Sequence, residues 1–437
     1  MKPFQLLDKT TGGSVKNDIL SGITVALALV PEAVAFAFVA GVSPVVGLYG
    51  AFMMGLVTAI FGGRPGMISG ATGAMAVVMV HLVKEGNALG GSDSAGLQYL
   101  FFTLLAAGTI QMLAGVFRLG KFVRMIPHSV MMGFVNGLAI VIFISQLGMF
   151  KSQGEWLDGD SLLIMIALVL ATMAIMFVLP LITKKIPAAL TAILVVSMFV
   201  IFSGVETETV RSFILSNGGS GIKAGLPTFN FPSVVLSLET LLFVLPYAAI
   251  LAAIGLIESL MTLNLIDELT DSHGNGNREC IAQGAANTIN GLFGGMGGCA
   301  MIGQSIINIK SGGRGRLSGI VAAVALLLFI LFGSSLIEQV PIAALVGVMF
   351  MVVIGTFAWS TFKVFNKVPK SDVIVIVLVT GLTVIFDLAI AVLAGVVVSS
   401  LVFAWENAKR IRARKRTDEF GVKHYEIYGP LFFGCIE

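Results

Sequence analysis

The chain has 437 residues, 57% hydrophobic and only 12% charged, with a formal net charge of +3 and a mean hydropathy of +0.97. Soluble domains carry about 25% charged residues, so the composition excludes an ordinary soluble enzyme and gives no reason to expect a nucleic-acid partner. It points to a polytopic helical membrane protein in a lipid bilayer.

Lys2, Lys9 and Lys16 precede the first apolar run, 19–30, and the basic run KRIRARKR (409–416) follows the last, 373–402. Both termini are therefore expected on the cytoplasmic side of a plasma (inner) membrane, with an even number of spans. No cleavable signal is expected, because the first run follows a polar lead and continues past signal-peptide length. The same first span continues through ALALVPEAVAF (26–36) and carries Glu32, directly after Pro31, which should break its hydrogen-bond ladder.

A glycine-rich tract, FGGRPGMISGATGAM (61–75), comes next, and then runs at 97–116, 130–150, 162–181 and 188–202. Each is long enough, or nearly so, to cross ~30 Å of hydrocarbon. His81 and His128 fall near span ends and read as interfacial or packed, and Arg118, Lys121 and Arg124 read as positive-inside anchors. A polar stretch, 204–233, separates these runs from a second set at 238–257, 320–336, 343–359 and 373–402. The second set includes Glu258 in ILAAIGLIESLMT and a charged segment read as a loop at the cytoplasmic rim, with Asp267, Glu268, Asp271 and Arg278. It also includes a second glycine-rich tract, FGGMGGCAMIGQSII (293–307), and Asp387, read as a helix cap between the last two spans.

With short segments near 68–84, 281–293 and 301–308, about fourteen membrane segments are expected, seven in each half. An odd number per half requires the second half to be inserted upside down. Two pairs of landmarks fit that inversion: the two Phe-Gly-Gly tracts, and IPHSVMMGF (126–134) with VPIAALVGV (340–348), where Pro127 and Pro341 each stand six residues before a glycine. The expected organisation is a first half at 1–203, a connecting loop at 204–236, a second half at 237–408, and a basic linker with the first strand of a soluble domain at 409–437. That strand is read in HYEIYGPLFFGCIE (424–437). Cys280, Cys299 and Cys435 are odd in number and scattered, suggesting neither a disulfide framework nor a metal spacing.

Irregular backbone at membrane depth is tolerated only where it is buried in protein or lines a cavity. Paired breaks in corresponding halves are the sequence mark of a transporter's binding site. The two tracts predict short helices starting near 69–72 and 301–304 and meeting near the midplane. Each N-terminus offers free N–H groups and roughly +0.5 charge, which together suit an anion. Glycines that merely permit close helix packing are the plainer alternative. Glu258 and Thr262, four apart on one helix face with Ser259 beside them, form an oxygen-rich surface. That surface can hold sodium with help from backbone carbonyls, or Glu258 can take up a proton. Glu32 is placed to reach the same cavity. No nucleophile–base pair or metal cluster is visible, so an enzyme is not expected.

PEAVAFAFVAGVSPVVGLYGAF (31–52) and NRECIAQGAANTINGLFGG (277–295) resemble characteristic stretches of the SulP (sulfate permease, solute carrier 26) family. The resemblance covers essentially the whole chain. It implies an all-α fold of seven plus seven inverted segments with core and gate domains, a homodimer, and a cytoplasmic STAS domain of which only the start is present. It also implies an anion site formed by Ala71, Thr72 and Gly73 on one side and Met301, Ile302 and Gly303 on the other, with Phe36 lining it. Gln304 and Glu32 are added to that site here. Many animal members have Ser-Arg-Thr where this sequence has Gly303, Gln304 and Ser305, so the fixed cation is missing. The Glu258–Thr262 spacing is similar to the family's sodium-coupled bicarbonate (BicA-type) branch. By that likeness a sodium ion, the expected coupling ion in a chain that needs no other cofactor, would be held by Glu258, Thr262, Ala300 and Ile302. At Ile302 only the backbone carbonyl can serve, because the threonine of that branch is absent. The leading reading is a secondary active transporter performing sodium-coupled bicarbonate symport by alternating access. A proton-coupled sulfate or dicarboxylate symporter and an uncoupled anion channel are the alternatives.

Overall fold

A computed structural model describes residues 14–92, 94–120, 127–152, 155–183, 188–216, 225–235, 237–364, 369–385, 391, 394–395, 397–399, 401–402, 412–417 and 422–428. Lys121, Arg124, Asp387 and Cys435 lie outside the described residues. The chain divides into two compact units, one of Met1–Met125 with Ala139–Phe357 and the other of Ile126–Leu138 with Ala358–Glu437.

The larger unit opens with α1 (Val15–Val39) and α2 (Pro44–Phe61). Pro31 lies inside α1 without ending it: it lacks the N–H for one bond of the ladder, and the first span still runs as one helix. Pro44 starts α2 at the position where a missing N–H costs nothing. Strand β1 (Ser69–Ala71) leads into α3 (Gly73–Gly90), and α4 (Ala95–Val116) follows. Beyond α5 (His128–Leu147) come a minimal strand pair, β2 (Lys151–Ser152) with β3 (Glu155–Trp156), then α6 (Gly159–Ile182), α7 (Ala188–Ser203) and α8 (Val210–Ser216).

Helix α9 (Leu238–Thr270) is 33 residues long, capped at its start by the Ser237 hydroxyl on the Thr240 N–H at 3.1 Å. It continues into α10 (Gly276–Phe293), β4 (Gly298–Ala300), α11 (Ile302–Lys310), α12 (Arg316–Phe332), α13 (Ser334–Glu338) and α14 (Ile342–Thr356). Asp267 and Glu268, expected in a loop, instead occupy the last turn of α9, and Arg278 stands in the first turn of α10. The helix runs on because Asp267 is buried against Arg64, with which it pairs at 2.9 Å.

By length and composition, seven helices among the described residues can cross a membrane, and α7 and α12 are shorter apolar helices. Helix α10 lies along α4, α1 along α12 and α2, and α6 packs with α7 and α14. The α4–α10 contact is backbone on backbone: a Cβ at Gly284 would stand 2.5 Å from the Gly108 carbonyl oxygen. In lipid, such small-residue contacts replace the hydrophobic drive that water supplies.

The smaller unit contains α15 (Ser360–Val364), α16 (Lys370–Ile385) and a hairpin of β5 (Arg412–Thr417) with β6 (Lys423–Tyr428). Asn136 ties it together, donating to the Thr361 hydroxyl at 2.9 Å and accepting from the Ala358 N–H at 2.8 Å. The strand read at 424 is β6, and most of the basic run preceding it forms β5, antiparallel from Arg412↔Tyr428 to Thr417↔Lys423.

Candidate functional site

The two glycine-rich tracts meet. Strands β1 and β4 pair antiparallel with Ser69 opposite Ala300, Gly70 opposite Cys299 and Ala71 opposite Gly298, and the Met301 N–H adds a bond to the Ile68 carbonyl at 2.9 Å. A pair of three-residue strands leaves outward backbone groups that lipid cannot satisfy. Buried side chains take that role. Asn287 on α10 brackets Gly298, accepting from its N–H and donating to its carbonyl, both at 3.0 Å, and also donates to Gln111 on α4. Ser259 accepts from the Ala300 N–H, and Ser305 from the Ile68 N–H, each at 3.0 Å. Gln283 donates to the Ser69 hydroxyl at 2.9 Å.

Asn287, Gln283 and Gln111 were not singled out from sequence. For Asn287 and Gln283 the signal available was the run of amides in NRECIAQGAANTING (277–291), which is unusually polar for a helix flanked by apolar spans; Gln111, alone in an apolar run, had none.

Antiparallel pairing sends α3 and α11 in opposite directions from one small sheet. Thr72 and Met301 hold their N-cap positions in extended conformations, and neither helix has a side-chain cap. The first-turn N–H groups of both have no intrahelical partner. The Phe36 ring closes over the start of α3, where a Cβ on Gly73 would be 2.8 Å from the ring and 2.9 Å from Ile142. At the other start, Gly303 faces open space, with nothing within 4 Å of a Cβ built there. Gln304 donates a hydrogen bond to Glu32, so α1 meets α11 through a buried amide–carboxylate pair. Ala71, Thr72, Gly73 and Phe36 thus lie on one side of the sheet's ends, and Met301, Ile302, Gly303, Gln304 and Glu32 on the other.

Beside the sheet, the Cys299 thiol donates to Glu258 Oε2 at 2.9 Å and lies 3.4 Å from the Thr72 hydroxyl. The Thr262 hydroxyl donates to the Glu258 carbonyl at 2.8 Å and approaches the Ala300 carbonyl at 3.4 Å. Glu258, Thr262 and the Ala300 carbonyl therefore cluster around the edge of β4, and Ile302 follows two residues later at the start of α11. Among the described residues, neither Glu32 nor Glu258 has a lysine or arginine within 4.0 Å; the Arg64–Asp267 pair at 2.9 Å involves other groups. His81 is exposed on α3, and Arg118 is exposed with a φ of 60°.

The sequence profile of the sulfate permease family matches residues 15–155 and 159–380. The chain belongs to the sulfate permease family. This sulfate permease family member is 43% identical to the putative sulfate transporter YbaR of Bacillus subtilis, over 97% of this chain and 84% of that one. It is 33% identical to the bicarbonate transporter BicA of a Picosynechococcus strain, over 99% of this chain and 81% of that one.

Among solved structures it is similar to the transmembrane domain of a cyanobacterial BicA, with a TM-score of 0.75 at 32% identity, covering 86% of this chain and 97% of that one. It also matches the murine anion transporter Slc26a9 in its inward-facing state, with a TM-score of 0.78 over 94% of this chain and 72% of that one; at 17% identity this shows a shared fold alone. The protein is a multi-pass membrane anion transporter, not an enzyme.

Proposed function

We propose that this transporter carries bicarbonate together with sodium by alternating access. The observation that carries the reading is the grouping of Glu258, Thr262 and the Ala300 carbonyl beside two uncapped helix N-termini, with no basic side chain within ion-pair reach of the carboxylate among the described residues. The two helix ends supply about one unit of positive potential, each worth roughly +0.5 charge, which one monovalent anion balances. Ala71, Thr72, Gly73, Met301, Ile302 and Gly303 would surround it, with Phe36, Gln304 and Glu32 completing the wall. An ionised Glu258 would remain uncompensated at a cost of several kcal/mol. A sodium ion held by Glu258, Thr262 and the carbonyls of Ala300 and Ile302 removes that cost, because hard cations take oxygen ligands of this kind.

The same reading includes fourteen segments in two inverted halves, a core moving against a gate, a homodimer, and both termini on the cytoplasmic side of the plasma membrane. It takes residues 409–437 as the beginning of a STAS domain. The decisive measurement is uptake of labelled bicarbonate and of sulfate into proteoliposomes, with a sodium gradient imposed or removed at fixed pH. Bicarbonate uptake that rises with inward sodium supports the proposal; uptake indifferent to sodium ends it.

A second reading, a proton-coupled sulfate or dicarboxylate symporter, is favoured by the Glu32–Gln304 pair, which gives the wall a second carboxylate, and by the likeness to the putative sulfate transporter of Bacillus subtilis. Sulfate uptake driven by an inward proton gradient without sodium would establish it. An uncoupled channel would show large currents that persist unchanged in Glu258→Gln.

A further inference from the structure

A half-enclosed cavity of about 110 Å³ lies on the opposite side of α1 from the strand pair. Pro31 and Val34 of α1, Ile193 and Leu194 of α7, Val210 of α8 and Leu345 of α14 form its walls, and Leu336 of α13 stands at the rim. Every lining side chain is apolar. A buried water needs two to four polar partners, and these walls offer side chains with none. Left empty, the lining atoms forfeit dispersion contacts on one side.

Its place in the fold says what fills it. Pro31 is the seventeenth residue of the 25-residue α1, well inside a membrane span. The rim is continuous with an exposed apolar surface beside helices apolar enough to lie in a membrane: Leu194 is 48% exposed, Leu336 68% and Phe332 78%. The bilayer is thus the adjoining phase, and its hydrocarbon is the matter available to the opening.

We propose that this cavity binds the end of an acyl chain of a bilayer phospholipid. The volume is of the same order as the ~150 Å³ apolar cavities that stay dry and take up benzene, so it accepts a few methylenes rather than a whole lipid. Pro31 and Val34 face the cavity while Glu32, in the same turn, bonds Gln304. An occupant therefore bears directly on the turn of α1 that carries Glu32. The inference stands whichever anion and coupling ion the transporter uses.

The test is photolabelling of the full chain in phosphatidylcholine vesicles doped with a phosphatidylcholine whose acyl terminus carries a diazirine, with adducts mapped by mass spectrometry. Adducts are expected on residues 30–34, 190–194 and 333–345, in addition to the exposed flank of α6 at Phe177 and Leu181. Leu194→Trp fills the mouth from an exposed position and should lower the cavity adducts several-fold while leaving the α6 flank unchanged. Val340→Phe, from the other wall, should do the same and guards against a folding defect in the first variant. Adducts confined to the flank, or cavity adducts at wild-type yield in both folded variants, would overturn the proposal.

Discussion

Asn287 uses both ends of its amide to hold the backbone of Gly298, in a place where neither water nor lipid can replace it. Asn287→Ala leaves one N–H and one carbonyl buried without that partner, and at about 1–3 kcal/mol per unsatisfied group the variant should unfold at clearly lower temperature in detergent and transport poorly. Thermal unfolding followed by fluorescence checks this, and a melting temperature equal to wild type would refute the bracket's importance. Two glycines of the same tract separate structure from function. A Cβ at Gly298 would collide with the Gly70 carbonyl of the paired strand, whereas a Cβ at Gly303 meets nothing within 4 Å. Gly298→Ala should therefore destabilise the fold, and Gly303→Ala should fold normally yet weaken anion binding by intruding on the space before α11. Melting temperature and half-saturating bicarbonate, measured on both, should move in opposite variants. The two glycine-rich tracts that meet, and the carboxylates Glu32 and Glu258, were legible because each is conspicuous inside an apolar span, whereas the individual anion-site residues were what the family resemblance implies. Asn287, Gln283 and Gln111 were not legible, since an amide's role depends on which backbone it meets across the fold, and that is set by packing.

At the scale of elements, the end of α2 is governed by side chains more than 200 positions away. Arg316 donates to the carbonyls of Ala59 at 2.8 Å, Ile60 at 3.2 Å and Gly62 at 2.7 Å, and Arg278 Nε donates to Phe61 at 2.8 Å. Glu279 answers by accepting from the Gly63 N–H at 2.6 Å. Two guanidinium groups thus satisfy the C-terminal carbonyls of one helix and complement its negative end. Removing a charged donor from buried acceptors costs about 1.5–3 kcal/mol per bond, so Arg316→Met should lower stability by a few kcal/mol while sparing the oxygen cluster at Glu258. Thermal unfolding should show it; unchanged melting with lost sodium dependence would mean that Arg316 acts elsewhere. From sequence, Arg278 read as a rim charge in a loop, because a cap supplied by a distant helix leaves no local signature. The long helices were readable from apolar run length alone. Three-residue strands such as β1 and β4 were visible only as glycine-rich interruptions, because their partner is set by tertiary pairing. Pro31 can sit inside α1 because, in membrane helices, neighbouring helices and local adjustments satisfy the backbone groups a proline frees.

For the whole molecule, charge sets the terms on which anything can cross. In the proposed site the carboxylates are Glu32 and Glu258, each hydrogen-bonded to a neutral partner, Gln304 or Cys299. Among the described residues no lysine or arginine lies within 4.0 Å of either carboxylate, and the two helix ends supply positive potential. If an anion occupies those ends, a few ångströms from a sodium ion on Glu258, the two ligands attract. At about 5 Å and an effective dielectric near 20 that attraction is roughly 3 kcal/mol, an upper figure, since solvent in an open cavity screens part of it. Linkage makes the effect reciprocal, and measured couplings of about 1–3 kcal/mol correspond to affinity changes of 5–150-fold. Saturating bicarbonate should therefore lower the half-saturating sodium concentration at least about fivefold, and saturating sodium should lower half-saturating bicarbonate by the same factor. Glu258→Gln, which keeps the shape but removes the charge, should abolish both shifts together while preserving the melting temperature. Equilibrium titrations of the purified transporter with each ligand, at several fixed concentrations of the other, measure the two factors independently. A half-saturating concentration that rises with the other ion would mean that the two compete for the transporter, and factors near one would place the cation outside the electrostatic reach of the anion.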